Sequence, residues 1–377
     1  MKVYFDNAAT TPIDPLVFEA MTPWLTSHWG NASSTHSFGR EAKAAIEMSR
    51  KTIAELLNAA PGEIYFTSGG TEGDNTVLKG ICGDAGFSQA ISSPLEHHAV
   101  LHTLEAITSK NKANLTLLDV NEKGELDYEQ LEELLKENPP TLVSLMYANN
   151  EIGNINNIEL IGSIVKEYNG YFHSDTVQAM GHYKIDSKKI QIDAMVCSAH
   201  KIHGPKGSGF MYLKKDKRIP PFMVGGGQER NMRGGTENVA GIVGLTKAFT
   251  LAHERMEDDH KHIQVLKDRM ISGLTTLIPG ISFNGNSENP DSLYTVLNAR
   301  LPASEENEFL LFNLDMKGIA ASGGSACNSG SDKGSHVLEA LGMPSDSTGV
   351  RFSFSKYNTP EEVDYVLEAV KECLGLS

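Results

Sequence analysis

Apolar positions along the first two thirds of the chain alternate between two rhythms. Short apolar runs at 63–67 (EIYFT), 88–92 (SQAIS), 114–120 (NLTLLDV), 141–147 (TLVSLMY), 170–174 (GYFHS), 193–198 (DAMVCS) and 208–214 (SGFMYLK) read as strands. Between them, amphipathic stretches predict helices at 37–58, 71–82, 97–109, 127–137 and 158–168. Strands alternating with helices give an α/β fold: a mostly parallel sheet of seven strands, flanked by helices on both faces. Ligands in such folds sit beyond the carboxyl ends of the strands.

From about 236 to 277 the pattern is almost wholly helical, and a helix this long bridges two domains. Beyond it, 293–300 (LYTVLNAR) and 350–354 (VRFSF) read as strands, and 304–316 and 359–373 as helices. The expected organisation is a large domain at 15–255 and a smaller α+β domain built from 1–14 and 256–377. No internal repeat or low-complexity tract interrupts it.

Composition narrows the classes of function. The chain has 377 residues, 40% hydrophobic and 21% charged, which is ordinary for a globular protein with room for a large core. Its formal net charge of -15 repels nucleic-acid phosphates and anionic membranes, so neither is an expected partner. The four cysteines, Cys82, Cys197, Cys327 and Cys373, are far apart and form no CxxC pair. That argues against a thiolate metal site and against a secreted disulfide scaffold. No run of about 18 apolar residues occurs, and the start, MKVYFDNAATTP, lacks a signal-peptide core. A cytoplasmic protein is expected.

Candidate chemistry begins at 197–209, CSAHKIHGPKGSG, where an apolar run ends in Ser198-Ala199-His200-Lys201. A lysine at the end of a buried strand is costly unless it is paired or used. Taken alone it reads as a surface lysine with a snorkelling stem. Upstream, 171–178 (YFHSDTVQ) ends an apolar strand at Asp175. A lysine that forms a Schiff base and an aspartate on a ring nitrogen are the two groups that pyridoxal-phosphate chemistry most needs. Asp175 alone is equally a helix N-cap. Ser68-Gly69-Gly70-Thr71-Glu72, between a strand and a helix, offers backbone N–H groups and the Thr71 hydroxyl to a phosphate, although any one such loop is more often a plain capped turn. In LEHHAV at 95–100, His97 stands where a ring can lie on the cofactor, while an ordinary HH pair is surface or capping. Cys327 lies in ASGGSACNSGSDKGSH, 321–336, a segment of small and polar residues that points to a reactive thiol and not to core filler. Cys82, Cys197 and Cys373 lie in apolar runs and suit packing roles. Arg351, in VRFSF, could hold a substrate carboxylate or an ordinary salt bridge.

Together these segments resemble the cysteine desulfurases of the NifS/IscS type, which are fold-type-I pyridoxal-phosphate enzymes. The likeness runs through YFDNAATTP at 4–12, NASSTHSFGR at 31–40, FTSGGTEGDN at 66–75, EHHAV at 96–100, ANNEIG at 148–153, HSDTVQ at 173–178, SAHKIHGPKG at 198–207, GGGQERNMRGGTEN at 225–238, GGSAC at 323–327 and VRFSF at 350–354. The resemblance implies that Lys201 carries pyridoxal 5′-phosphate and shuttles protons. It implies that Asp175 pairs with the pyridinium, Gln178 bonds the phenolic oxygen, and His97 stacks on the ring and joins the acid–base steps. Gly70, Thr71, Ser198 and His200 would hold the phosphate, and Thr236 would reach the neighbouring subunit's phosphate in a homodimer. Asn150 and Arg351 match positions that orient the substrate carboxylate, and Cys327 matches the sulfur-accepting cysteine.

The implied reaction takes sulfur from L-cysteine, leaves a persulfide on Cys327 and releases L-alanine. The longer loop around Cys327 resembles the subgroup that passes sulfur to protein acceptors, such as an iron–sulfur scaffold or a tRNA-thiolation protein. Ala32, Gly70, Gly324 and Ser355-Lys356 depart from the family's usual pattern, and none removes a group the chemistry needs. Selenocysteine lyase and class V aminotransferase share the scaffold, and the aminotransferases need no mobile cysteine. A non-catalytic scaffold protein is opposed by the presence of Lys201, Asp175, His97 and Cys327 together. A nucleotide-binding reading of the glycines at 225–235 lacks the strand–GxGxxG–helix setting.

Overall fold

The expected strands meet in one seven-stranded sheet. The computed structural model describes residues 1–377 apart from 85, 86, 88, 112, 138, 139, 218, 305–308, 324–333, 345, 346 and 377. After a short strand β1 (Val3–Tyr4), the large sheet contains β2 (Ile64–Thr67), β3 (Gln89–Ser92), β4 (Asn114–Leu117), β5 (Thr141–Ser144), β6 (Tyr171–Asp175), β7 (Ala194–Ser198) and β8 (Gly209–Leu213). Their order is β2-β8-β7-β6-β5-β3-β4. All pairings are parallel except those of β8, which runs antiparallel to both β7 and β2. The tight return from Lys201 to Gly209 forces that reversal, because a parallel partner would need a long crossover.

Side-chain alternation along the strands explains why both faces are covered. In β7, Met195 and Cys197 join one apolar cluster, while Ala194 and Val196 join the other. In β8, Phe210 and Tyr212 point to the first cluster, and Met211 and Leu213 to the second. Helices α1 (Pro15–Thr26), α2 (Ser37–Leu56), α5 (Tyr128–Glu137) and α6 (Ile158–Glu167) lie with the first, and α3 (Gly70–Asp84) and α4 (His98–Asn111) with the second. Helix α1 was not expected from the periodicity. Its signal is at the N-terminus, where Asp14 accepts from Leu16 N at 2.9 Å and Pro15 occupies the first helical position.

Helix α7 (Val239–Leu277) is 39 residues long. Its first half packs Ile242, Leu245 and Phe249 on the large sheet, and its second half packs Ile263, Leu266, Met270 and Leu274 into another cluster. That second cluster holds the three-stranded antiparallel sheet of β9 (Ser282–Phe283), β10 (Val296–Leu301) and β12 (Thr348–Ser353), in the order β12-β10-β9. Strand β11 (Ile319–Ala320) pairs in parallel with β1. Helices α8 (Leu310–Met316) and α10 (Pro360–Cys373) cover this core, and α9 (His336–Ala340) packs Val337 and Leu338 against Leu95 and Ile152. The α8 helix is shorter than the expected span at 304–316, which includes residues outside the description. Among the described residues, no helix is long and apolar enough to cross a membrane.

Candidate active site

Strand ends deliver the functional side chains to one place. β6 ends at Asp175, β7 ends at Ser198 and continues into a single 3₁₀ turn, Ala199–Lys201, and β2 runs into the loop that starts α3. A cavity of about 600 Å³ opens there, beyond the carboxyl ends of the parallel strands. Lys201, His97, Asp175, Gln178, Gly70, Thr71, Asn150, Ser198, His200 and Arg351 all line it. Thr236 is exposed and lies outside the lining of this single chain. Cys327 lies outside the described residues.

Lys201 Nζ donates to the carbonyls of Ala8 and Ala9 at 2.5 and 2.9 Å, so the N-terminal segment holds the amine in the cavity wall. Gln178 Nε2 donates to the same Ala8 carbonyl at 3.1 Å. Asp175 is 7% exposed, and its Oδ1 accepts from Val177 N at 2.9 Å. No helix starts after Asp175: the bond from Val177 N closes a turn at 175–177, so the helix-cap reading from sequence does not hold, and the carboxylate lines the cavity. Two further acids stand near it. Asp74 and Glu96 are buried, and burial pushes both carboxyls well above the ordinary range, with the nearby Asp175 pushing the same way. Asp74 lines the cavity together with Asp175, so two carboxyl groups face it. Asp74 Oδ1 also sits 3.3 Å from Nε2 of buried His173, whose partner on the other side is Ser144 Oγ at 2.9 Å.

His97 accepts from Ala99 N at 3.1 Å through Nδ1, which places the proton of the neutral ring on Nε2. Burial lowers its pKa, with Asp175 opposing and the neighbouring Lys201, His336 and His102 adding to the lowering. His200 Nδ1 lies 3.1 Å from Thr10 Oγ1, and burial, helped by Lys201 and Lys206, lowers that ring to about 4.

The loop from β2 to α3 is shaped for an anion. Gly69 has φ 151, and a Cβ there would stand 3.3 Å from Ser198 Oγ. Gly209, at the start of β8, lies so close that a Cβ would meet Cys197 O at 2.3 Å and Gly69 Cα at 2.8 Å. The start of α3 and the residues Thr71, Ser198 and His200 line the same cavity, which suits a phosphate ester. Glu72 fixes the turn by accepting from Ser68 N at 2.9 Å and from Arg233 Nε at 2.9 Å. The donor set fits pyridoxal phosphate: an amine for the aldehyde, a carboxylate for the ring nitrogen, and N–H and hydroxyl donors for the phosphate.

Buried Arg351 donates through Nη1 to the Asn150 carbonyl and through Nη2 to Asp6 Oδ1, both at 2.9 Å, while its Nε has no partner among the described residues. The salt bridge and the cavity position read from sequence coexist in one residue. Sequence reasoning missed Asp74, Glu96 and His336. Glu96 adjoins His97 in a motif already singled out. His336 carried no local signal, yet its Nδ1 reaches His98 Nε2 at 3.0 Å and its Nε2 reaches the Glu96 carbonyl at 2.9 Å. Cys197 is buried core, and burial raises its thiol pKa.

The class-V aminotransferase family matches residues 3–366. The cysteine desulfurase IscS of Methanosarcina thermophila is 45% identical over 375 residues, covering 98% of this chain and 91% of the relative. Among solved structures, a NifS-like protein aligns with a TM-score of 0.91 at 36% identity over 100% of both chains. SspA in complex with cysteine aligns with a TM-score of 0.82 at 30% identity, over 95% of this chain and 100% of that one.

Proposed function

The chain belongs to the class-V aminotransferases and, within them, to the cysteine desulfurases, and from that premise we propose which of its residues act and where the sulfur goes. It is a cysteine desulfurase, converting L-cysteine to L-alanine with transfer of the sulfur atom. The enzymes of this family work with pyridoxal phosphate. In this chain Lys201, Asp175, Gln178, His97, Gly70, Thr71, Asn150, Ser198 and His200 would hold that group. When bound it supplies an electron sink for the charge left at a substrate Cα that has lost its proton.

The residues then divide the work. The Arg351 guanidinium, in the cavity wall beside Asn150, receives the substrate carboxylate. Lys201 Nζ takes and returns the Cα proton. His97, neutral with its proton on Nε2, serves as acid and base. The Cys327 thiolate attacks the substrate sulfur: the new S–S bond forms as the Cβ–S bond breaks, and a proton delivered to Cβ completes L-alanine. The persulfide passes to an acceptor protein, an iron–sulfur scaffold or a tRNA-thiolation protein.

Two cores joined by α7 support domains at 15–255 and at 1–14 with 256–377. Exposed apolar surface supports a homodimer. Val224 is 89% exposed, Met223 bridges to Arg233 three residues before Thr236, and exposed Trp29 and Phe38 stack with centroids 6.0 Å apart. Thr236 would then serve the partner's phosphate. The acidic charge and the lack of a spanning helix among the described residues agree with a cytoplasmic setting.

The convergence of Lys201 and Asp175 on one cavity carries this reading. Lys201→Ala should abolish covalent cofactor attachment and alanine formation. Cys327→Ala should keep the visible absorbance of bound cofactor and lose sulfur transfer. Full sulfide release from cysteine by Cys327→Ala would remove Cys327 from the mechanism.

A further inference from the structure

Lys201 stands between two cavities. The larger is the site described above. The smaller, about 30 Å³, lies behind it: Ala8, Gln178 and Lys201 are shared, while Asn7, His182, Tyr294 and Asp259 face only the smaller one. That volume exceeds the roughly 10–15 Å³ that one water requires. The chamber follows the seam between the two cores, with Lys201 and His182 on one side and Tyr294 and Ser355 on the other. Ser355 and Lys356, a pair at which the sequence departs from its family's pattern, also line it.

A water there finds partners. Asn7 is 5% exposed, and its Nδ2 donates to the carbonyls of Tyr4 and Ser353 at 3.1 and 2.8 Å, but its Oδ1 has no partner among the described residues. A buried acceptor left empty costs about 1–3 kcal/mol, which a chamber water recovers. Tyr294, 1% exposed, places its hydroxyl 2.8 Å from His182 Nδ1, and its ring stacks on His260 with centroids 4.3 Å apart. Burial lowers His182 and His203 to about 4, so both rings are neutral at pH 7; His203 Nδ1 bonds the Pro12 carbonyl and leaves Nε2 able to accept, while His182, held by the Tyr294 hydroxyl and the Lys201 backbone, fixes Tyr294 in place.

We propose that this chamber holds the water through which Lys201 exchanges its ammonium proton with solvent, with Tyr294, His182 and Asn7 as the residues that position it. The proposal rests on Lys201 being the catalytic amine. A substrate filling the larger cavity excludes solvent from the front of Lys201, which protects a carbanion but closes that route to protons. The chamber supplies a route at the back. The Nζ–H bond breaks and its proton passes to the water oxygen, while that water releases a proton outward past Asp259 and Lys356. The electron pair stays on Nζ, one positive charge leaves for solvent, and nothing is oxidised or reduced. The titratable groups facing the chamber are Lys201, His182, His203, Asp259, Tyr294 and Lys356.

The test uses the holoenzyme. Tyr294→Phe keeps the ring against His260 and removes only the hydroxyl. It should lower kcat for alanine formation by about tenfold while KM stays within about twofold. It should also shift the pH profile of kcat and enlarge its solvent deuterium isotope effect, and His182→Gln should behave alike. A crystal structure of the holoenzyme should show a water within hydrogen-bond distance of Asn7 Oδ1. Wild-type pH profiles and isotope effects in both variants, or a dry chamber, overturn the proposal. Borohydride reduction separates the two levels: cofactor fixed on Lys201 with unaltered proton kinetics removes the relay alone, and absence of label at Lys201 overturns the relay together with the reading of Lys201.

Discussion

Glu229 clasps Arg50 from the far end of the sequence: Oε1 to Nη2 and Oε2 to Nη1 are both 2.8 Å, with the side chains 3% and 2% exposed. Glu229 Oε2 also accepts from Phe66 N at 2.8 Å, which ties the glycine-rich loop at 225–235 to β2, the strand that leads into the phosphate loop. Glu229, Arg230 and Asn231 hold consecutive positive φ values of 43, 58 and 67, a strained run that the ion pair keeps in place. Breaking a buried pair from one side leaves an uncompensated charge. Glu229→Gln should therefore lower the unfolding free energy by about 3–5 kcal/mol in urea melts. The Arg50→Met, Glu229→Met double variant should lose less than Glu229→Gln, and a larger loss would show that the pair is not the seat of the effect.

The contact between Gly209 and Gly69 makes a second expectation. A methyl group on Gly209 must displace either Cys197 O or Gly69 Cα. Gly209→Ala should cost about 1–3 kcal/mol of stability, and the rise in melting temperature on adding pyridoxal phosphate should shrink. A variant with an undiminished cofactor-dependent rise would separate β8 from the phosphate loop.

Asp14 sets an acid limb. It accepts from Lys356 Nζ at 2.7 Å, Tyr357 Oη at 2.8 Å and Leu16 N at 2.9 Å. Burial raises its pKa, but the bonds from Lys356, Tyr357 and Leu16 outweigh that and lower it from 3.8 to about 2. A carboxyl whose folded pKa is depressed stabilises the fold above its unfolded value, and that contribution fades as pH falls from 3.8 to about 2. It is worth about 2 kcal/mol at neutral pH. Asp14→Asn should lose this amount at pH 7, and its stability curve should meet the wild type's near pH 2.

Lys267 works in the opposite direction. Its Nζ is buried and donates to Ser292 Oγ at 2.7 Å and the Leu293 carbonyl at 3.0 Å. Burial lowers its pKa from 10.5 to about 7, against a small opposing pull from Asp268. Between those values the unfolded chain binds the extra proton, so stability contributed at this site grows as pH rises from 7 to 10.5. Relative to wild type, Lys267→Met should look most favourable at pH 6 and least favourable near pH 10 in denaturant melts. A pH-independent difference would show that Lys267 does not titrate across this range.

Much of the large sheet was legible because its strands are short apolar runs bounded by helices of clear period. The site was legible because Lys201, Asp175 and the Gly69-Gly70 turn sit at strand ends, where an α/β sheet exposes side chains. Alternation looks the same in either direction, so the antiparallel course of β8 lay only in the short link between 198 and 208, which the strand pattern by itself does not weigh. Asp74, Glu96 and His173 were missed because a polar residue reveals its burial only through long-range packing. Arg351 carried two readings from sequence, and the fold both pairs it with Asp6 and sets it in the cavity wall.

Helix α7 behaves as a ruler shared by both cores. Each residue in it advances the chain by about 1.5 Å and turns it by about 100°. One inserted or deleted residue near its middle would swing everything after it, including Arg351, round to a different heading relative to Lys201. Length drift that surface loops tolerate is thus forbidden along these 39 residues, and single-residue indels there should abolish turnover even where the protein still folds.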